Sequence, residues 1–208
     1  GCRIALAPGY IYLGMGDRGS RSEEAQNLGS HIGKIVRLGR NGSVPADNPF
    51  VQQSNARGEI WSYGHRNIQG MVLDAQGRLW ASEHGAQGGD EINLIAAGNN
   101  YGWPIIAYGK DYGGGKIGAG ITAQAGMQQP LYYWDPSMAP SGMAFVGSNP
   151  YGNDWHGVLL AGSLKFGYVA RLTLDGDKIV HEEKINVGER VRDVRQAPDG
   201  FIYIVSDS

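Results

Sequence analysis

The feature that most constrains the fold is a short pattern that recurs along the chain. A turn glycine is followed by alternating bulky residues and then by a small or acidic loop, at residues 8–13, 76–81, 156–161 and 199–204. Each copy predicts a hairpin turn that enters a β-strand. The uneven recurrence favours an all-β propeller with blades of roughly 40–50 residues, some of which carry long inserted loops. A β-sandwich produces a similar pattern and stays open on this ground alone.

Glycine content supports a turn-rich all-β fold. The chain has 34 glycines in 208 residues, whereas roughly 7% is typical of proteins. They show no collagen period and lie between short β-like runs, where glycine permits turn conformations closed to other residues. The glycine-rich segment 109–126 has no clear period, and we expect it to be a long functional loop.

Charge and hydropathy narrow the classes of function. The net charge of −2 gives no electrostatic basis for binding nucleic acid. No apolar run approaches the roughly 20 residues that a membrane span needs. Cys2 is the single cysteine, so an internal disulfide is excluded.

Three stretches are polar where the pattern calls for strands, and the first is 61–70. Arg66 offers a planar fork for a carboxylate or an anionic oxygen. Asn67 and Gln69 can both donate and accept hydrogen bonds. These side chains favour a ligand site, and a polar turn with an exposed arginine is the open alternative.

The second stretch covers 83–93 and 99–104 and combines glycines with carboxylates. Glycines let the backbone turn its carbonyls inward, and carbonyls together with carboxylates suit a hard cation such as Ca²⁺. The spacing is not that of an EF-hand, and His84 has no partner at zinc-ligand spacing. An acidic surface loop is the alternative.

The third stretch is basic and covers 163–167 and 190–195. Arg190 and Arg192 alternate along a predicted strand, so both should point to one face. They repel each other unless an anion lies between them or carboxylates pair with them, and Asp193 should point to the other face. The pattern predicts a polyanionic ligand, with a solvated edge strand as the alternative.

In this order, the three stretches resemble the soluble PQQ glucose dehydrogenase and aldose sugar dehydrogenase family, the glucose/sorbosone dehydrogenases. The resemblance covers almost the whole chain and is most specific at 59–67, 88–93, 100–104 and 190–194. It implies a six-bladed β-propeller, with about four blades in a single incomplete domain, 1–208, and the N-terminal blades absent. It also implies PQQ- and calcium-dependent oxidation of aldose sugars to lactones, with hydride passed to the quinone and electrons to an external acceptor, in the periplasm or outside the cell.

The resemblance implies a set of PQQ-binding side chains: Arg66, Asn67, Gln69, Trp134, Lys165, Arg190 and Arg192. Arg66 would also be catalytic, because it would stabilise negative charge on the reduced quinone oxygen. Lys165 and the two later arginines would hold the cofactor carboxylates, and Trp134 would stack on its ring. PQQ is flat and carries three carboxylates, so it needs cations, a flat wall and a metal that polarises the quinone.

The resemblance also implies two calcium sites. The carbonyls of Gly85 and Ala86 match those that bind the Ca²⁺ bridging to PQQ. The family usually has proline at the second position; alanine keeps the carbonyl, so we expect the site to survive with a looser loop. Glu91, the Tyr101 carbonyl and Asp111 match a second, structural Ca²⁺ site.

The general base is the main departure from the family pattern. The family's catalytic histidine lies just upstream of a Gly-x-Arg strand start, which is Gly1 to Arg3 here. None of the five histidines matches it, so we expect the base to lie before residue 1. This leaves a calcium-stabilised propeller that binds a ligand without turnover as an alternative. A propeller lactonase is disfavoured, because a neutral lactone needs no ring of cations.

Overall fold

The computed structural model describes residues 1–147 and 150–207, which fold as antiparallel β-sheets. The first sheet contains β1 (Cys2–Ala7), β2 (Tyr10–Met15), β3 (Lys34–Gly39) and β4 (Ile60–Tyr63). The second contains β5 (Ile68–Leu73), β6 (Leu79–Glu83), β7 (Asp90–Ile95) and β8 (Tyr132–Trp134). The third contains β9 (Pro140–Phe145), β10 (Leu159–Ser163), β11 (Tyr168–Asp175) and β12 (Lys178–Asn186). A two-stranded sheet follows, with β13 (Arg190–Gln196) and β14 (Ile202–Asp207), and the described 3-10 helices are Ser22–Gln26 and Asn153–Trp155.

Each four-stranded sheet is a meander in which hydrogen-bonded neighbours follow chain order. The first strands of consecutive sheets are in contact: β1 with β5, β5 with β9, and β9 with β13. The all-β prediction is therefore confirmed. Successive meanders joined through their first strands are the arrangement found among propeller blades.

The recurring glycine pattern marks the same turn in every sheet. Gly9, Gly77, Gly157 and Gly200 all have positive φ, between 77° and 85°, in the left-handed region that favours glycine. Each lies in the connection between the first and second strands of its sheet and precedes β2, β6, β10 or β14. The predicted strand entries are confirmed at all four positions.

The core lies between neighbouring sheets. One buried apolar cluster joins the first two sheets, a second joins the second and third, and a third lies between the third sheet and β13. The central strands approach so closely that a Cβ on Gly70 would lie 2.7 Å from the carbonyl oxygen of Ser141. Small residues where the first strands of neighbouring sheets approach each other, such as Gly70 and Ser141, let those strands pack closely.

Several loops meet at one end of the sheets. They connect β4 to β5 (64–67), β6 to β7 (84–89), β8 to β9 (135–139) and β10 to β11 (164–167). Residues 98–103 run beside β4, with a parallel bridge between Tyr63 and Asn100, and return the chain to this end. The segment 109–126 that we expected to be a loop contains no regular helix or strand and docks through backbone hydrogen bonds between Gln87 and Lys110.

No helix in the described ranges has the length and apolarity needed to cross a bilayer.

Candidate functional site

Arg66 lies at the centre of the clustered loops, between β4 and β5. Its Nη1 donates to the carbonyl oxygens of His84 at 3.0 Å and Gly85 at 2.5 Å. Its Nη2 donates to the hydroxyl of Tyr112 at 3.1 Å. The Nε atom is buried and has no hydrogen-bond partner among the described residues. The half-buried guanidinium is thus fixed to the β6–β7 loop and keeps two of its five N–H donors unused, one on Nε and one on Nη2.

A buried row of side chains holds the Arg66 backbone. Ser62 Oγ lies 2.9 Å from His65 Nε2, and His65 Nδ1 lies 3.0 Å from Glu83 Oε1. The other Glu83 oxygen accepts the backbone N–H of Arg66 at 2.7 Å. Burial by itself raises the pKa of Glu83, but His65 and the hydrogen bonds from His65, Arg66 and Asn93 hold that pKa below its usual value. Glu83 is therefore an ionised anchor for Arg66.

The hydrogen-bonded order Ser–His–Glu is that of a nucleophilic triad, but a catalytic triad must be open to substrate and this row is not. Ser62 and His65 are completely buried, so the hydroxyl cannot meet a substrate. The row positions Arg66 instead. Our sequence analysis assigned these three residues no role, because residue type alone does not show that they meet.

Asn67 and Gln69 lie beside Arg66, as predicted for residues of one site. Gln69 Nε2 donates to Asn67 Oδ1 at 2.9 Å, and Asn67 Nδ2 lies 3.4 Å from His84 Nδ1. His84 Nε2 lies 2.7 Å from the Pro140 carbonyl, which can only accept, so Nδ1 is left as an acceptor. Burial lowers the pKa of His84, which keeps the ring neutral and able to accept from Asn67.

A cavity of about 20 Å³ beneath Arg66 is lined by Glu91 and Tyr101, among others. It has room for one water or ion. Burial, followed by the negative charges of Glu83 and Asp90, raises the pKa of Glu91 to about 8. Glu91 accepts a hydrogen bond from Asn93 Nδ2 at 3.0 Å. A carboxyl group that is buried without a cationic partner suits a hard cation, which can take the place of its proton.

The β6–β7 loop brings Gly85 and Ala86 to the same cavity. A Cβ at Gly85 would overlap the carbonyl oxygen of Gly88, and the Gly85 N–H donates to Asp90 Oδ1 at 2.9 Å. The loop is thus tightly folded in spite of alanine at 86. Among residues 1–147 and 150–207, no group of three or more His, Cys, Asp or Glu side chains is placed to hold a metal, so a cation here would depend on backbone carbonyls.

Asp111 is the predicted metal ligand that the structure leaves outside this cavity. Its side chain is exposed and accepts the N–H of Tyr112 at 2.9 Å. It is not among the residues that line the cavity with Glu91 and Tyr101. Four of the five predicted metal-binding positions therefore come together.

The predicted basic group forms a second cluster. Lys165 is exposed on the β10–β11 loop, and Arg190 Nε donates to the neighbouring Leu164 carbonyl at 3.1 Å. Arg192 Nη2 pairs with Asp207 on β14 at 2.6 Å, and Arg190 lies 3.8 Å from the same carboxylate. Asp207 is the partner that our sequence analysis missed. These pairs are exposed and weak, so a polyanionic ligand can compete for both arginines.

Arg3 joins the two clusters. Its Nε donates to the carbonyl oxygen of Gln69, and Nη2 donates to that of Arg192 at 3.3 Å. Its Nη1 lies 3.4 Å from Asp193, which also contacts Arg195. In the sequence Arg3 served only to align the strand start, although an arginine in an otherwise apolar strand was a signal that it has polar partners.

Trp134 is not brought to Arg66. It is 6% exposed, packs in the core between the second and third sheets, and donates from Nε1 to Glu182 at 3.2 Å. These contacts tie down the indole and correct the expectation of a stacking wall. The aromatic rings beside the Arg66 guanidinium are those of Trp103 and Tyr112, with centroids 5.2 and 5.7 Å from Cζ.

Fold and site together define a class: a protein of repeated four-stranded β-meanders, with a polar and cation-rich site where the loops meet. The sequence model of the glucose/sorbosone dehydrogenase family matches residues 1–208. The chain therefore belongs to the glucose/sorbosone dehydrogenase family.

Individual proteins agree with this assignment. The aldose sugar dehydrogenase YliI of Escherichia coli is 44% identical over 203 residues, which are 96% of this chain and 54% of that protein. The crystal structure of the soluble E. coli aldose sugar dehydrogenase, in the apo-form, matches with a TM-score of 0.93 at 42% identity, over 99% of this chain and 60% of that one. The PQQ-bound aldose sugar dehydrogenase of Streptomyces coelicolor matches with a TM-score of 0.75 at 31% identity, over 98% and 55%. The chain spans about half the length of the curated relatives it matches.

Proposed function

We propose that this chain forms the cofactor-binding part of a PQQ- and calcium-dependent aldose dehydrogenase. The enzyme would oxidise aldose sugars to lactones and pass the electrons to an external acceptor. Membership of the family and the similarity to aldose sugar dehydrogenases support this proposal. The observation that carries it is Arg66, whose half-buried guanidinium is fixed by two loop carbonyls and still has unused N–H donors on Nε and Nη2.

PQQ would lie between the two clusters of the site. When bound, PQQ supplies a quinone that accepts a hydride from the sugar. Arg66, Asn67 and Gln69 would bind its quinone edge, and Arg66 would stabilise the negative charge that develops there. The basic cluster of Lys165, Arg190 and Arg192 would bind its carboxylates, because charge-assisted bonds from Arg and Lys are strong and directional. Trp134 is not part of this proposal.

Calcium would bind through the β6–β7 loop. The Gly85 and Ala86 carbonyls would hold the ion next to the cofactor, where Gly85 already accepts a hydrogen bond from Arg66. Glu91 and the Tyr101 carbonyl would hold a second ion inside the small cavity, which has room for one ion, and this ion would take the place of the Glu91 proton. Asp111 joins this second site only if the 109–126 loop moves inward.

The wider architecture belongs to the same proposal. We propose a single six-bladed propeller in which the sheets described here form about four blades. The general-base histidine would come from residues before Gly1, and the protein would work in the periplasm or outside the cell. The oligomeric state is left open.

The test is reconstitution of the full-length protein with PQQ and Ca²⁺. Dye reduction with a panel of aldoses should appear, and Arg66→Ala should lower it by about 10²-fold or more, because it removes a donor to developing charge. Arg40→Ala is the control, since among the described residues the Arg40 side chain donates to the Ala7 carbonyl, at the opposite end of the sheets.

Each remaining outcome has a definite meaning. PQQ binding without turnover would favour a ligand-binding propeller. Absence of PQQ binding by the folded, full-length protein would overturn the proposed function.

A further inference from the structure

Asp90, the first residue of β7, holds two loops of the candidate site at once. Its Oδ1 accepts the N–H of Gly85 in the β6–β7 loop at 2.9 Å. Its Oδ2 accepts the Ser137 hydroxyl at 2.7 Å and the Ala139 N–H at 2.9 Å, and both of these donors lie in the β8–β9 loop. Each carboxylate oxygen thus bonds a different loop, so one side chain fixes the position of the two loops relative to each other.

These contacts require a carboxylate. Asp90 is completely buried, and its three donors are two backbone N–H groups and a hydroxyl, all of them neutral. Burial of a charge among neutral donors costs free energy. Asparagine has the same size and no charge, but its amide offers an acceptor on one side only. The donors on both sides of the side chain therefore explain why a buried charge stands here.

The backbone of Ala139 shows that the β8–β9 loop is held in a strained conformation. Ala139 has a φ of 53°, in the left-handed region that residues with a Cβ rarely adopt. Its N–H donates to Asp90, and its carbonyl accepts the N–H of Leu164 in the β10–β11 loop at 3.0 Å. Such a conformation persists where surrounding contacts fix it, and here they come from two neighbouring segments of the site.

A continuous row of hydrogen bonds connects Asp90 to both clusters of the site. On one side, the carbonyl of its partner Gly85 accepts Nη1 of Arg66 at 2.5 Å. On the other side, Leu164 donates its N–H to the β8–β9 loop and accepts Nε of Arg190 on its carbonyl at 3.1 Å. The two arginines, one in each cluster, are therefore held in register through one carboxylate.

We propose that Asp90 is a positioning residue of the cofactor site. It fixes the Arg66 cluster relative to the basic cluster, so that both can bind one rigid, anionic cofactor at the same time. This inference rests on the proposed function and deepens it, because it identifies a residue that acts through Gly85 and Ala139 and does not touch the ligand.

The sign of the effect separates positioning from simple electrostatics. A carboxylate near the site repels an anionic ligand, so Coulomb's law alone predicts that removal of the Asp90 charge strengthens the binding of PQQ. Loss of the positioning bonds predicts the opposite, because a rigid ligand cannot follow two clusters that move apart.

The first test measures PQQ binding by the full-length protein, followed by the quenching of tryptophan fluorescence at two saturating Ca²⁺ concentrations. Asp90→Asn should weaken PQQ binding about tenfold at both, the effect of one lost hydrogen bond to the ligand. Asp74→Asn is the matched control. Asp74 is also a buried carboxylate that accepts backbone N–H groups, but it lies in the β5–β6 turn at the opposite end of the second sheet, so its variant should bind PQQ like the parent protein.

Two results of this titration would overturn the inference. Unchanged or tighter PQQ binding by Asp90→Asn would show that the carboxylate acts only through its charge or not at all. Recovery of the lost affinity at the higher Ca²⁺ concentration would show that Asp90 acts on the metal and not on the position of the two clusters.

The second test needs no cofactor and also uses the milder variant Ser137→Ala, which keeps the charge and removes one donor to Asp90. Amide hydrogen exchange of the full-length apo-protein is followed by mass spectrometry. Exchange should rise about tenfold in 84–89, 135–139 and 163–167 for Asp90→Asn, and in the last two segments for Ser137→Ala. Residues 34–39 in the first sheet should exchange as in the parent protein.

Faster exchange in only one of these loops, or along the whole chain, would contradict the inference. A failure of the proposed function would look different: the parent protein would not bind PQQ, whereas the exchange of the three loops would still rise together in Asp90→Asn.

Discussion

Arg66 is positioned by a carboxylate 17 residues further along the chain. Glu83 accepts the Arg66 N–H and is itself held by His65 and Asn93. Because the carboxylate is buried, its charge is tolerated only while these donors surround it. The orientation of one functional side chain therefore depends on at least three buried groups that never meet the ligand.

Glu83→Gln tests this anchor. The amide keeps the shape of the side chain but loses the negative charge. Its NH₂ group also replaces one carboxylate oxygen, so a donor would face either the Arg66 N–H or His65. We expect the free energy of unfolding to fall by about 1–3 kcal/mol, measured by urea denaturation of the apo-protein. Glu189→Gln is the control, because Glu189 is exposed. Equal stability of Glu83→Gln and the parent protein would show that the buried row does not hold the loop.

At the scale of elements, the β6–β7 loop is the part that links the polar clusters. It supplies carbonyls to Arg66, lines the cavity with Glu91, and packs on Asp135 through Gly88. Tight packing of backbone against backbone makes this loop rigid despite its polar sequence. A cofactor or metal site requires that the groups in direct contact with the ligand are held rigidly.

Gly85→Ala tests the rigidity of this loop. The added methyl group would meet the backbone of Gly88 and Gly89, which has no side-chain freedom with which to move away. We expect a loss of about 1–3 kcal/mol in the free energy of unfolding, measured in urea without metal. Gly113→Ala should be nearly neutral, since nothing lies within 4 Å of a Cβ there. A stable Gly85→Ala protein would mean that the loop relaxes freely.

For the whole molecule, stability depends on the contacts between neighbouring sheets. The second and third sheets share an apolar cluster that includes Trp80, Trp134 and Leu172. Glu182 on β12 also bonds Tyr132 on β8. Burial, followed by the hydrogen bond to Glu182 and then by its charge, raises the pKa of Tyr132 to about 12. Burial, followed by the charge of Glu182, raises the pKa of Tyr168 to about 12. The ionisation of these two phenols therefore depends on the contact between the two sheets.

The junction should therefore weaken in alkali. An unfolded tyrosine has a pKa of about 10, so between pH 10 and 12 the unfolded chain loses protons that the folded protein keeps. The stabilisation is complete below about pH 10 and is lost as the pH rises through about 12. Urea denaturation at pH 9 and 11 should show this loss, and Tyr132→Phe should reduce it. Tyr63→Phe, in the first sheet, is the control; equal pH dependence in both variants would contradict the assignment.

Local sequence signals predicted the four strand entries and the polar loops at the strand ends. The turn glycines, such as Gly77, act within a few residues, and their positive φ depends only on the local backbone. The polar stretches of 64–67 and 84–89 interrupt strand-like sequence, and both lie at the end where the loops meet. Arg66, Asn67 and Gly85 lie in these stretches, and the structure brings them together; their roles in cofactor and calcium binding, which came from the family resemblance, stay predictions.

Local signals did not show the contacts of residues whose partners lie far away in the chain. Trp134 resembled a stacking residue, but its indole bonds Glu182, 48 residues later, and is enclosed by two sheets. Asp207 neutralises Arg192 across a hairpin at a bulge in β13. Asp111 carries a suitable ligand group, but the path of the 109–126 loop leaves it exposed.

The sequence by itself thus determined which segments form strands, where they turn, and which polar stretches lie at their ends. These properties follow from side-chain alternation and glycine conformation, which act over a few residues. Only the tertiary structure decided that Ser62, His65 and Glu83 hold Arg66, that Arg3 joins the two clusters, and that Asp90 holds two loops of the site together. Those contacts join residues on different strands and sheets, so they arise from the packing of sheets and are not encoded in any local pattern.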